Sequence, residues 1–299
     1  MSRSRAILAS GRLRSDLRLK DFWGLTKPRM NFLVLVTTMV GYYMAARGSA
    51  QWGRFLSTLL GTALTAAGAS VLNQVMERRF DALMPRTARR PLPQGRVRPI
   101  EAWLFGILLS IVGTALLAIF VNLLTALLAA ITLTTYLFVY SPAKRRTSLC
   151  TLIGAVPGAL PAMMGFTAAC GAITAPALAL FGILFVWQMP HFLSIAILYR
   201  DDYARGGFRM LPVGDDRFNA STRQIVLYSL ALIPVTLVPV LLGIVGVNYL
   251  VAAIALGIGF CGVGLNWARN RSRANARHLF FASIVYLPIL LATMTIDKL

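Results

Sequence analysis

The sequence predicts an all-α integral membrane protein: nine transmembrane helices in a bundle around a central cavity, with cytoplasmic cap loops after helices 2 and 6. Three observations lead there. Of 299 residues, 57% are hydrophobic and 13% charged, and the mean hydropathy of +0.69 lies far outside soluble usage. Six long stretches carry no Asp, Glu, Lys or Arg. The basic residues between them alternate in density from loop to loop. The net charge of +20 is therefore assigned to lipid headgroups and membrane orientation, with no nucleic-acid partner expected.

The uncharged stretches delimit what hydrocarbon can hold, because a buried charge is costly there. They run over 30–46, 55–76, 102–143, 147–199, 224–268 and 278–296. At roughly 20 residues per crossing, the three longest hold two helices each and the others one. Turns inside the double stretches are expected near Asn122, over Gly171 to Pro176, and over Gly246 to Asn248, where polar or flexible residues interrupt the apolar pattern. Of the 30 Lys and Arg, 27 fall on one side of a nine-helix count. The positive-inside rule then puts the N-terminus in the cytoplasm and Leu299 outside. The chain divides into a basic cytoplasmic segment, 1–29, and a single nine-helix domain, 30–299. A bacterial inner membrane fits this compact organisation better than an imported precursor. Cys150, Cys170 and Cys261 are far apart in apolar stretches and read as packing residues.

Acidic residues are scarce, so their placement is informative. Seven of the ten flank the ends of helices 2 and 6 or the start of helix 3. Asn73, Glu77 and Asp81 recur every four residues, which keeps them within about 80° of arc and ~12 Å of axis on one helix face. Pro85 stops the helix near Met84, and Arg86, Arg89 and Arg90 follow before Pro91-Leu92-Pro93. Carboxylate and amide oxygens beside arginines suit a divalent cation bridging to a phosphorylated ligand. A solvated interfacial helix end shows the same spacing, and spacing leaves both readings open. A second acidic end, Asp201-Asp202-Tyr203, leads through Gly206-Gly207 to Met210-Leu211-Pro212 and echoes the first as a weak internal repeat. Tyr140 and Lys144 after helix 4, and Lys27 and Arg29 before helix 1, are either membrane anchors or phosphate contacts. His191, after Pro190, is a haem ligand, a proton carrier or a hydrogen-bonded helix residue. His278 reads as interfacial.

These motifs together resemble the UbiA-type intramembrane prenyltransferases over nearly the whole chain. The resemblance is carried by Leu25 to Arg29, by the Asn73-Glu77-Asp81 face with Arg86-Thr87 and Arg90 to Pro93, by Tyr140 to Thr147, and by Gly154 to Pro161. Pro190-His191-Phe192 and Met210 to Val213 point to the haem-modifying branch. The resemblance implies that farnesyl diphosphate is held with Mg²⁺ by Asn73, Glu77, Asp81 and Asp202. Lys27, Arg29, Arg86, Arg90, Tyr140 and Lys144 are then phosphate contacts, Tyr203 a further substrate contact, and Lys144 a catalytic group. His191 belongs to the acceptor side. The implied reaction ionises the allylic diphosphate, alkylates a vinyl group of haem B and adds water, giving haem O and diphosphate. It also implies a haem-delivery or haem A synthase partner. Leu198 stands four positions before Asp202, where many members of the family carry a second Asp. The nearest rival is an aromatic, quinone-type prenyltransferase; the rival of another class is a transporter with paired halves.

Overall fold

A computed structural model describes residues 18–48 and 51–299; residues 1–17 of the expected basic segment lie outside them. Among the described residues are nine long helices: α1 (Pro28–Ala45), α2 (Trp52–Asp81), α3 (Pro99–Phe120), α4 (Leu123–Arg146), α5 (Cys150–Cys170), α6 (Ala175–Leu198), α7 (Asn219–Leu241), α8 (Val247–Arg269) and α9 (Arg273–Ile296). Eight are long and apolar enough to cross a bilayer by length and composition. α1 falls short on that measure: its 18 residues include Arg29 and Asn31 in the first turn. It qualifies as a bundle member by its packing along α5.

The expected breaks fall where polar groups satisfy freed backbone. Asn122 caps α4 by accepting from Thr125 N–H (2.8 Å) and donates its amide to the Thr167 carbonyl (3.0 Å). Gly171 ends α5 with φ 75°, a left-handed C-cap that glycine adopts without steric cost. α2 has 30 residues, ~45 Å at helical rise. It outruns the hydrocarbon thickness, so its last turns carry Glu77 and Asp81 to the interface.

Packing divides the bundle. α1, α2, α3, α4 and α5 form one group, α6, α7, α8 and α9 another, and α5 packs on α6 between them. Small residues allow the closest approaches, as expected for membrane helices. A methyl group on Gly165 would collide with the Thr38 carbonyl of α1, and one on Gly41 with the Ala162 carbonyl of α5. α2 and α3 interlock similarly through Gly61 and Gly68 against Gly113 and Gly106.

One feature of α4 departs from regular helix. Residues Thr135–Tyr140 form a π-helical turn, in which Ser141 N–H bonds to the Tyr136 carbonyl rather than to residue 137. Pro142 explains it: proline has no N–H and its ring crowds the carbonyl four residues back. The widened turn places Tyr136 and Tyr140 side by side, ring centroids 5.5 Å apart.

Candidate diphosphate site

The first acidic face is buried against α4 and the segment before α1. Asn73 is 2% exposed and donates to Ser141 Oγ at 2.8 Å; Ser141 in turn donates to the Tyr136 carbonyl. Glu77 is in ion-pair contact with Lys144 Nζ, both side chains nearly buried. Glu77 Oε1 is the oxygen in that contact. Asp81, 1% exposed, accepts from Arg90 Nη1 at 2.8 Å. The Arg-rich loop is folded back by Thr87, whose hydroxyl donates to the Asp81 carbonyl (2.8 Å).

Lys27 completes the cluster from a turn that has to be held open. It precedes Pro28, which disfavours the right-handed helical region, and it takes φ 49°, ψ 59°, an unusual conformation for a non-glycine. Three side-chain bonds brace the turn. Thr26 Oγ1 donates to the Trp23 carbonyl (2.7 Å), Asn31 Nδ2 to the Thr26 carbonyl (2.6 Å), and Gln74 Nε2 to the Leu25 carbonyl (2.7 Å). Burial, and then the neighbouring Arg90 and Lys144, lower the Lys27 pKa from 10.5 to about 8; Glu77 and Asp81 oppose that shift. The result is three cations, Lys27, Arg90 and Lys144, interleaved with two carboxylates. Tyr136 lies close enough to Glu77, Asp81 and Arg90 to sense their charges.

A roof joins the two acidic loops. Lys144 sits 4.8 Å above the Tyr140 ring and 5.5 Å above Phe208, and its carbonyl accepts from Arg209 N–H (2.7 Å). The Arg86 guanidinium lies 4.4 Å from the Tyr199 ring and 5.3 Å from that of Tyr203, and donates to the Tyr203 hydroxyl (3.3 Å). Met84, Ala143, Cys150, Phe208 and Met210 pack beneath as one apolar cluster.

The structure thus brings together Lys27, Asn73, Glu77, Asp81, Arg90, Tyr140 and Lys144, with Arg86 and Tyr203 in the roof. Arg29 is exposed on the first turn of α1. Asp202 lies in a six-residue helix, Arg200–Arg205, and faces Arg205 at 3.9 Å. Among the described residues no three Asp, Glu, His or Cys side chains converge as a metal site, so Asp202 is not gathered with Glu77 and Asp81 in this conformation. Unbridged carboxylates repel, and each has found a cation instead. His191 lies two turns before the C-terminal end of α6, stacked between Trp187 (4.8 Å) and Phe280 (5.4 Å), with Nδ1 2.8 Å from Ser283 Oγ. Sequence reasoning passed over Tyr136. Its signal was the Tyr-x-x-x-Tyr-Ser-Pro run, whose proline forces the π turn.

A polytopic helical bundle with a mixed cation and carboxylate cluster at one membrane rim is the layout of an intramembrane enzyme acting on a phosphorylated lipid. The model of the UbiA prenyltransferase family matches residues 34–285, and the chain belongs to that family. It is 46% identical over 289 residues to the protoheme IX farnesyltransferase of Solibacter usitatus (strain Ellin6076), covering 94% of this chain and 99% of that one. With the protein of the same name from Salinibacter ruber (strain DSM 13855 / M31) it shares 45% identity, covering 93% and 99%. Solved structures share the fold at lower identity. A digeranylgeranylglyceryl phosphate synthase aligns at TM-score 0.77 and 18% identity, covering 93% of this chain and 98% of that one. A UbiA homolog from Archaeoglobus fulgidus bound to GPP and Mg²⁺ aligns at 0.66 and 17%, covering 92% and 99%.

Proposed function

We propose that the chain transfers a farnesyl group from farnesyl diphosphate to a vinyl group of haem B, with addition of water, yielding haem O and diphosphate. The observation that carries the chemistry is the array of Lys27, Arg90 and Lys144 around the largely buried Glu77 and Asp81. The choice of acceptor rests on the farnesyltransferase relatives.

The donor set fits Mg²⁺, which takes hard oxygen ligands and usually one or two carboxylates plus phosphate oxygens. Glu77 Oε1 is buried against the Lys144 ammonium, and Asn73, which donates its amide N–H to Ser141, keeps its amide oxygen for another partner. Asn73, Glu77 and Asp81 would hold the ion, with Asp202 joining from the second loop; bound there, the metal supplies positive charge to the departing phosphate oxygens. The remaining work belongs to the chain. Lys27, Arg90 and Lys144 bind the diphosphate, Arg86 and Tyr203 close the roof over it, and Arg29 receives it at the rim. As the C–O bond ionises, negative charge grows on a leaving group that already faces fixed cations, which is where electrostatic stabilisation lowers a barrier. Tyr136 and Tyr140 lie beside the site, and aromatic rings are favourable surroundings for an allylic cation. The vinyl group attacks that cation, and water adds to the porphyrin-stabilised cation that results, releasing one proton as the hydroxyl group forms.

One catalytic domain spans 30–299, in the inner membrane of a bacterium, with the N-terminus cytoplasmic and Leu299 outside. The density of Lys and Arg supports that orientation. Incubating purified protein with haem B, farnesyl diphosphate and Mg²⁺ is expected to give a porphyrin heavier by one farnesyl and one hydroxyl group. Chelating the metal is expected to abolish the product, and transfer to a hydroxybenzoate in its place would overturn the acceptor.

A further inference from the structure

Among the described residues only two non-glycines take a left-handed backbone, Lys27 and Phe218. Lys27 serves the diphosphate cluster. Phe218, φ 53°, precedes α7 and lines a separate cytoplasmic cavity of about 160 Å³, together with Leu198, Arg200, Asp201, Arg271 and Arg273. A bulky aromatic in that region is a true outlier that its surroundings must enforce. Trp267 packs edge-on against its ring (5.8 Å), and the Arg200 guanidinium lies 5.3 Å from it.

We propose that this cavity is the seat for the acidic side arms of the tetrapyrrole acceptor, with Arg271 and Arg273 receiving its carboxylates while the ring lies along the α6–α9 seam against His191. The proposal rests on the reading that the acceptor is haem B.

Charge is the first argument. Arg200 is paired with Asp216 (2.6 Å) and donates to the Val213 carbonyl. Arg271 donates to the Arg217 carbonyl and to Asn219 Oδ1, and Arg273 reaches only the Leu198 carbonyl, at 3.4 Å. Among the described residues neither Arg271 nor Arg273 has a carboxylate partner. Asp201 is the single acid lining the cavity, against three guanidiniums. Guanidinium pairs carboxylate in a planar two-point contact, which suits this excess.

Register is the second argument. His191 and Leu198 are seven residues apart on α6, and Arg273 and Phe280 seven apart on α9. Seven residues are about two turns, ~10 Å, and return to nearly the same helix face. The helices run antiparallel: His191 stacks on Phe280, and the Leu198 carbonyl meets Arg273. The seam therefore carries an aromatic level and, two turns nearer the cytoplasm, an arginine level.

The imidazole supplies the third. Ser283 Oγ has one proton and donates it to the Phe280 carbonyl (2.6 Å), so His191 Nδ1 must be the donor to Ser283 Oγ (2.8 Å). That leaves Nε2 with its lone pair, the form in which histidine meets a metal.

Anionic lipid headgroups offer the cavity similar chemistry, so the test separates the two. Purified protein in nanodiscs of zwitterionic lipid is titrated with haem B and with its dimethyl ester, following the Soret band. Arg273→Gln is expected to weaken haem B binding about 10-fold and to leave the diester unchanged. Wild-type protein is expected to bind the diester about as weakly as the variant binds haem B. Arg273→Lys should recover part of the loss. Arg271→Gln should behave alike, with thermal melting monitored because Arg271 also ties two loops. Unchanged haem affinity in the arginine variants, or equal losses for haem B and diester, overturns the proposal. So does displacement of haem B by phosphatidylglycerol that depends on the arginines but not on the propionates. Wild-type protein that binds no haem B, yet prenylates a phenolic acceptor, overturns the underlying reading as well, and that result is distinct from the others.

Discussion

Each carboxylate of the first acidic face is itself largely buried and paired with a cation, and the consequences of that pairing are testable. Asp81→Asn leaves the Arg90 guanidinium without its charge partner and removes a proposed metal ligand. Product formation measured by mass spectrometry is expected to drop at least ~100-fold. Lys144→Met strands Glu77 in a nearly buried position. Breaking a buried pair from one side costs about 3 kcal/mol, so a lowered melting temperature in detergent should accompany loss of activity. Lys27 gives a pH signature. With a folded-state pKa of about 8, below the unfolded 10.5, its ammonium opposes folding below pH 8, and stability gained from this group rises as pH climbs from about 8 to 10.5. Diphosphate binding has the opposite sign, since it needs the ammonium. The apparent affinity for farnesyl diphosphate should therefore fall as pH passes 8, with proton uptake on binding in calorimetry; Lys27→Arg should flatten that profile. The four-residue spacing of Asn73, Glu77 and Asp81 was legible in sequence because a helix forces it. Their pairing with Lys144 and Arg90 was not, because those cations arrive from α4 and a folded-back loop.

Helices here approach through missing side chains, since lipid-facing surfaces offer no hydrophobic reward for association in a bilayer. Gly165→Leu drives a side chain into the Thr38 carbonyl of α1, and the expected destabilisation is about 1–3 kcal/mol, read as a lower melting temperature. Because α1 carries Lys27 at its head, the same substitution should raise the apparent KM for farnesyl diphosphate more than it changes kcat. The helices themselves were readable from runs without charge, and the breaks at Asn122 and Gly171 from residue type. The π turn of α4 was less so: Pro142 announces a disturbance, but only the helix itself reveals that the ladder widens by one residue and sets Tyr136 beside Tyr140.

At the scale of the whole molecule, the two helix groups meet so that the caps after α2 and α6 form one roof, with Arg86 stacked on Tyr199 and Tyr203. Topology is open to a direct test. Single cysteines placed at Gln94 and at Leu299, in a background lacking the native three, should label from opposite sides of sealed vesicles. Labelling of both from one side would refute the odd number of crossings.

The sequence by itself determined that the chain lives in a bilayer, how many helices it has, and which face carries its acids. Hydrocarbon excludes charge so strongly that one-dimensional spacing suffices for all three. Only the tertiary structure decided which cation neutralises which carboxylate, that Asp202 faces Arg205 while Glu77 and Asp81 take their own cations, and that His191 and Arg273 share a seam. Lys144 lies 67 positions from Glu77 and Arg273 82 from His191, and even the nearer pairs depend on how the loops fold back; helix rotation and close packing decide them, which no local pattern encodes.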